Sequence, residues 1–338
     1  MIKETLEYVS QGLDMTHDHA YKTMLEIMSG EWTPSQIAGF LMALKMKSET
    51  VSEIAGFVMA MRDKATKISA PAGATDVVGT GGDGLHTVNI STAAALVTAA
   101  AGVPVAKHGN RSVSSKTGSA DVLAALGVKI DLTPEQAEQC LNEIGISFLF
   151  APVYHASMKH AVIPRKEMGV RTVFNILGPM SNPATVTRQL VGAYNLDVAE
   201  KMAHVLKETG SEHVLVVHST DGMDEISGSN TTHVFELKDG EIHSYQVAPE
   251  DFGVERSEID HIKGGDSSDN AAIIKKLFND GGNGAVTTVT SLNAGAAIYI
   301  GGKAASLKEG VDVAQELLAS KQVQQKLNEL IDFTNSVN

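Results

Sequence analysis

Asp76-Val77-Val78-Gly79-Thr80-Gly81-Gly82-Asp83-Gly84, leading into Asn89-Ile90-Ser91-Thr92, decides how this chain is read. An apolar strand, Asp76–Val78, meets an alanine-rich helix, Ala93 to Ala101, through a loop with glycine at 79, 81, 82 and 84. Glycine admits positive φ and a close backbone approach, so the amides of such a loop can face an anion. The N-terminus of the following helix adds the positive end of its dipole. The string also spells G-x-G-x-x-G, the dinucleotide fingerprint, so the identity of the phosphate ligand has to be decided from the rest of the chain.

A dinucleotide site needs an acid about 20 residues further on, at the end of the second strand, to hold a ribose hydroxyl. Here the second strand ends in Lys107-His108-Gly109-Asn110-Arg111, where cations would contact phosphate. No G-x-x-x-x-G-K-[ST] sequence occurs. The segment from Lys107 to Ser119 carries lysine and arginine as charge and serine hydroxyls as neutral donors, a composition that can wrap a pyrophosphate. By composition alone it is equally a solvated polar loop. Its position after a strand, like that of the glycine loop, favours a ligand, because α/β sheets bind at the carboxyl ends of their strands.

Outward from these loops, short β-rich runs alternate with helices. Strands are expected at Asp76–Val78, Val103–Lys107, Ser147–Ala151, Leu190–Tyr194 and Val214–His218, with one intervening helix opened by Thr133-Pro134-Glu135-Gln136. That alternation predicts a mainly parallel sheet with helices on its faces. Val234–Leu237 and Ile242–Tyr245 flank Lys238-Asp239-Gly240-Glu241, a hairpin signal. Residues 1 to 68 read as helices, with capping boxes at Thr33-Pro34-Ser35-Gln36 and Thr50-Val51-Ser52-Glu53 and a glycine stop at Gly30. Met42, Met46, Met59 and Met61 suit core or interface packing. The stretch 155–185, rich in His, Met, Arg and Pro, interrupts the strand pattern and could return to the helical unit.

The third chemical element is Asp221-Gly222-Met223-Asp224-Glu225-Ile226-Ser227, after the apolar run Val214–Val217. Adjacent carboxylates there could form a plain turn. They also suit Mg²⁺, which takes a few protein oxygens and completes its shell with phosphate and water.

Bulk properties agree with a soluble globular protein. The 338 residues suffice for two domains, and 43% hydrophobic with 20% charged residues is ordinary for a globular chain. A net charge of −13, with pI near 5.4, argues against a nucleic-acid or anionic-membrane binder. The lone Cys140 suits a reducing compartment. The acidic N-terminus lacks the features of a signal peptide, and no run approaches the ~18 apolar residues of a membrane span. A cytoplasmic location is expected.

Taken together, Gly79–Asp83, Asn89–Thr92, Lys107–Arg111, Ser115–Asp121 and Asp221–Ser227 resemble the anthranilate phosphoribosyltransferase family of tryptophan biosynthesis. So do Phe148–Pro152 with His155, Met158-Lys159-His160, Arg171–Pro179 and Asn293–Ala297. The departures are Leu85-His86 inside the first loop and Ser157, where a proline is common.

The resemblance implies a small helical domain (1–68, with the returning segment 155–185) plus a larger α/β domain (72–154 and 186–338). It implies a mainly parallel central sheet with helices on both faces, and a homodimer formed through the helical part. It further implies that Gly79, Gly82, Asp83, Thr87, Asn89, Ile90, Ser91 and Thr92 bind phosphoribosyl pyrophosphate. Lys107, His108, Gly109, Asn110, Arg111, Ser112, Val113, Ser114, Ser115 and Ser119 would complete that site. Gly79, Asn110 and Arg165 would position anthranilate, and Ser91, Asp224 and Glu225 would contact Mg²⁺, with two ions per site. His108 is the candidate proton acceptor. The rival readings are a pyrimidine nucleoside phosphorylase, which Lys107–Arg111 disfavours, and a non-catalytic nucleic-acid-binding relative, which the acidic charge disfavours.

Overall fold

The computed structural model describes residues 2–112, 117–281 and 284–337. Its centre is a seven-stranded sheet in the order β3-β2-β1-β4-β5-β6-β7. These strands are β1 (Thr75–Gly79), β2 (Val105–Gly109), β3 (Ile146–Phe150), β4 (Arg188–Gly192), β5 (His213–Ser219), β6 (Thr232–Lys238) and β7 (Glu241–Val247). β1 to β5 pair in parallel, and β6 and β7 add an antiparallel edge. All seven strand regions were legible as apolar or β-branched runs, but several limits moved. β2 starts two residues later than expected because Pro104 has no N–H to give a ladder; its carbonyl instead accepts from Thr75 N at 2.8 Å. At the edge hairpin, Asp239 and Gly240 both take positive φ (52° and 76°), the geometry of a type I′ turn.

Helices cover both faces, and the strand side chains divide between them. Leu215 and Val217 of β5 join one core, while Val214 and Val216 join the other, as a parallel strand buried on both sides requires. The first core is built around the helix Ile90–Ala100, on which the helix Ala285–Ile300 packs. On the opposite face, the helix Leu196–Glu208 lies on β5 and carries the N-terminal helices through the helix Val51–Lys64. The helix Phe174–Met180 contributes Phe174, Leu177 and Met180 to that same core. Arg62 ties the three parts together, donating from Nε to the Met180 carbonyl (2.9 Å) and from Nη1 to the Thr209 carbonyl (3.0 Å). Among the described residues, no helix is long and apolar enough to cross a membrane.

The N-terminal helices begin where their sequence signals lie. Thr33 and Thr50 cap the helices Pro34–Lys47 and Val51–Lys64 in complete capping boxes. Glu53 is fully buried, and Lys47 Nζ donates to its Oε2 at 2.7 Å while Met15 N donates to its Oε1 at 2.9 Å.

Glycine ends β1 and β4 for a steric reason. The segment after β5 folds back so that Asp224 reaches between β1 and β4, whose last residues Gly79 and Gly192 pair in register. A Cβ on Gly192 would lie 1.5 Å from the Asp224 carbonyl oxygen, and one on Gly79 would lie 2.5 Å from Asp224 Oδ2. Gly192→Ala forces backbone apart in a packed sheet and is expected to cost about 3 kcal/mol or more, read from urea unfolding. Gly79→Ala meets only the end of a side chain and is expected to cost clearly less in the same measurement.

Candidate active site at the sheet switch point

The chain passes from β1 outward to β2 and β3 on one side, and then returns to β4 on the other side of β1, so the winding reverses direction between β1 and β4. A crevice therefore opens at the carboxyl ends of β1 and β4, the usual place for a ligand in a doubly wound sheet. The glycine loop, the Lys107 loop and the acid segment all emerge there, from β1, β2 and β5.

The acid segment is fixed from behind. Asn293, within the helix Ala285–Ile300, reads both backbone groups of Ile226: its Oδ1 accepts from Ile226 N at 2.9 Å and its Nδ2 donates to the Ile226 carbonyl at 2.9 Å. Ser227 Oγ donates to Asp221 Oδ2 at 2.6 Å, closing the turn. So held, the two acids face backbone donors. Gly81 N donates to Asp224 Oδ2 at 2.7 Å, and Ser91 N, in the first turn of the helix Ile90–Ala100, donates to Glu225 Oε1 at 3.1 Å. These contacts and the helix dipole favour the ionised acids, but burial outweighs them. Burial first, and the Asp83 charge second, push the Asp224 carboxyl up to about 6. Burial followed by Asp224 and Asp83 raises Glu225 well above the usual carboxylate range. Buried like charges at a strand end make a place where a cation is favoured.

Lys107 sits under this pair. Its Nζ donates to the Val77 carbonyl at 2.6 Å and to Ser91 Oγ at 3.4 Å. Burial lowers it to about 8, against the attraction of Asp76 and Glu225. Asp76, raised to about 6 chiefly by burial, accepts from His108 N (3.2 Å) and from Asn182 Nδ2 (2.8 Å). Asn182 thereby ties the returning segment to β1. His108 packs its ring 5.1 Å from that of His155. Burial, then the neighbouring His155, lowers His108 to about 3, so the ring is neutral near pH 7.

The second loop closes on Asp121, which pairs with Arg111 Nη1 at 2.7 Å and accepts from Ser112 N and Gly118 N at 3.1 and 2.9 Å. Ser119 Oγ donates to the Asn110 carbonyl at 3.4 Å, and Asn89 Nδ2 reaches the Thr117 carbonyl at 3.5 Å, joining this loop to the first. Thr87 bridges to Lys263. Ile90 and Thr92 are buried in the core at the foot of the helix. Val113, Ser114 and Ser115 lie outside the described residues. Gly79, Ser91, Lys107, Asp224 and Glu225 thus converge directly. Asn110, Arg111, Ser112 and Ser119 form a neighbouring group. Arg165 lies on the helix Lys159–Met168, its guanidinium 5.3 Å from the Phe174 ring and lowered by burial.

Sequence reasoning gave no role to Asp76, Asn182, Asn293, Arg171 or Tyr194. An acid opening an otherwise apolar strand was the available signal for Asp76. The others are placed by tertiary contacts.

Among the described residues, no three His, Cys, Asp or Glu side chains converge into a ready-made cage. Two adjacent carboxylates remain, which fits a hard cation that draws its other ligands from phosphate and water.

The chain matches the helical bundle domain of the glycosyl transferase family over residues 3–65 and that family's a/b domain over residues 72–322. It is 50% identical to the anthranilate phosphoribosyltransferase of Nitrobacter hamburgensis, covering 99% of both chains. Its identity to the Geobacillus sp. enzyme of the same name is 47%, over 98% of this chain and 97% of the relative. The crystal structure of the Thermus thermophilus anthranilate phosphoribosyltransferase superposes with a TM-score of 0.92 at 40% identity, covering 98% of this chain and 99% of that one. The Saccharomyces cerevisiae enzyme in complex with PRPP and Mg superposes with a TM-score of 0.89 at 25% identity, covering 99% of each. Full-length identity at this level, on a fold whose switch-point crevice joins a glycine loop to a buried acid pair, makes the chain a member of the anthranilate phosphoribosyltransferase family, which transfers the 5-phosphoribosyl group from phosphoribosyl pyrophosphate to the amine of anthranilate.

Proposed function

We propose that the switch-point crevice is where this transfer occurs in the present chain. The observation that carries the assignment is the buried Asp224–Glu225 pair, raised in pKa and wedged between the glycine loop and Lys107. Phosphoribosyl pyrophosphate lies along Gly79–Asp83, Thr87 and Asn89–Thr92, with Lys107–Ser115 and Ser119 around its phosphates. Ser91, Asp224 and Glu225 hold Mg²⁺, as two ions. The yeast relative's complex with PRPP and Mg supports both ligands. Bound there, Mg²⁺ supplies charge neutralisation for the departing pyrophosphate.

The chain's own groups do the rest. Lys107, cationic at neutral pH, adds charge beneath the leaving group while its contacts with Val77 and Ser91 fix its direction. The amine nitrogen of anthranilate attacks C1 of the ribose as the C1–O bond to pyrophosphate breaks, positive charge builds on the sugar, and the amine proton released as the C1–N bond forms passes to the departing pyrophosphate or to water. Holding the two substrates in line removes the entropy of their encounter. Asn110 and Gly79 position anthranilate, and Arg165 takes its carboxylate. Arg165 is a half-buried cation with no acid at ion-pair distance among the described residues, which suits an anionic ligand. The weakly basic His108 ring serves as an orienting partner for the amine rather than a proton store.

The helical part, 1–68 with 155–185, forms a homodimer with a second copy. The support is an apolar surface on two adjoining helices: Met46 is 82% exposed and Met42 37% on one, and Val162 and Ile163 are 53% and 55% exposed on the other. A cytoplasmic location accords with the single buried Cys140.

Asp224→Asn and Glu225→Gln are each expected to lower turnover at limiting Mg²⁺ by about a hundredfold, the scale of one electrostatic contact to the transition state. Excess Mg²⁺ recovers part of that loss in an initial-rate titration. The raised acids protonate as pH falls, so the wild-type Mg²⁺ requirement climbs as pH drops through about 6, where Asp224 takes up its proton, measurable by calorimetry. Arg165→Ala should raise KM for anthranilate by about tenfold or more while KM for phosphoribosyl pyrophosphate stays within about twofold. Met46→Lys with Ile163→Glu should convert a dimer to a folded monomer by sedimentation velocity; a wild-type monomer at micromolar concentration would refute the dimer.

A further inference from the structure

Arg171 occupies a junction of three elements. It follows the helix Lys159–Met168, which carries Arg165, and its guanidinium donates to the carbonyl of Gly82 in the glycine loop. The same guanidinium stacks 4.6 Å from the Tyr194 ring, just beyond β4. Its Nη2, Cζ and Nε lie 3.7, 3.8 and 3.9 Å from where a Cβ on Gly82 would stand. Tyr194 itself packs against the core shared by the N-terminal helices, so the stack has a fixed base.

We propose that Arg171 is a positioning residue that couples the two substrate half-sites, setting the glycine loop for the pyrophosphate according to the placement of the segment that carries Arg165. The geometry supplies the reason. In a trans peptide the C=O and the following N–H point in opposite directions. Fixing the Gly82 carbonyl toward Arg171 therefore turns the Asp83 N–H to the other side of the loop, away from the helical segment, as a donor for a phosphate oxygen. Gly81, Gly82 and Gly84 take φ of 64°, 77° and 80°, and such a glycine run has many alternative peptide orientations. A planar guanidinium held by an aromatic face selects one of them. Arg165 and Arg171 lie six positions apart on one short segment, with Gly169 (φ 62°) ending the helix between them. A shift that seats a carboxylate at Arg165 thus reaches Gly82 through a few residues of backbone.

This proposal rests on the substrate assignment above, and the experiment separates the two. Initial rates are measured over a grid of both substrates for wild type, Arg171→Ala, Arg171→Lys, Tyr194→Leu and Arg165→Ala, with calorimetric binding of phosphoribosyl pyrophosphate and Mg²⁺ alone. Arg171→Ala is expected to raise KM for phosphoribosyl pyrophosphate by about tenfold, the lower range for loss of a charged hydrogen bond, with kcat within about threefold. The factor by which one substrate tightens the other should fall toward one. Arg171→Lys keeps a donor but loses the planar stack, and should recover part of the KM and little of the coupling. Tyr194→Leu should resemble it. Unchanged phosphoribosyl pyrophosphate KM and coupling in Arg171→Ala, alongside a raised anthranilate KM in Arg165→Ala, would overturn the proposal and leave the substrate assignment standing. An unchanged anthranilate KM in Arg165→Ala would overturn both. A parallel fall of kcat and melting temperature in all Arg171 variants, with KM values intact, would mark the residue as merely structural.

Discussion

The close approach of the Asp224 backbone to Gly192 is the contact on which the rest of the site depends. Two adjacent parallel strands end in glycine at the same register, and the space left by two missing Cβ atoms admits a carbonyl and a carboxylate from a third strand's loop. No other pair of residue types leaves that room without spreading the sheet. The consequence is electrostatic as much as steric: the acids are delivered below the surface of the crevice, where water solvates them poorly.

Burying two carboxylates side by side is costly, and the surrounding structure is arranged to bear it. Asn293 saturates the Ile226 peptide, so neither backbone group of that residue is left unpaired by the tight turn. Gly81 N and Ser91 N meet one oxygen of each acid. Lys107 gives a balancing charge and is itself attracted by the buried Asp76 as well as by Glu225. The layout is a chain of alternating charge, Asp76, Lys107, then the Asp224–Glu225 pair, which terminates in an excess of negative charge at the crevice.

Much of this was legible from residues close together in sequence. Apolar runs marked the strands, Thr-x-x-Gln and Thr-x-x-Glu marked helix starts, and Asp-Gly marked the hairpin turn, because each of these is a local energetic preference. The glycine loop and the acid pair stood out for the same reason. The ties that hold the site together were not legible. Asn182 reaches Asp76 across 106 positions, Arg171 reaches Gly82 across 89, and Asn293 reaches Ile226 across 67. Asparagine and arginine in helices or loops are common, and only the fold decides which of them meets a backbone. The methionines show a choice that sequence leaves open: core or interface packing suited both Met61 and Met46, and only the fold buries the first (4% exposed) and leaves the second on an outer helix face (82% exposed).

The antiparallel edge has a practical meaning. β5 runs toward the crevice and β6 runs back, so the exposed Asp239-Gly240 turn stands at the opposite end of the sheet from the switch-point crevice. Two positive-φ residues make that turn self-contained, with little demand on its neighbours. It is therefore a natural point at which to splice a fluorophore-binding tag or tether the protein to a surface, leaving the crevice at the far end undisturbed.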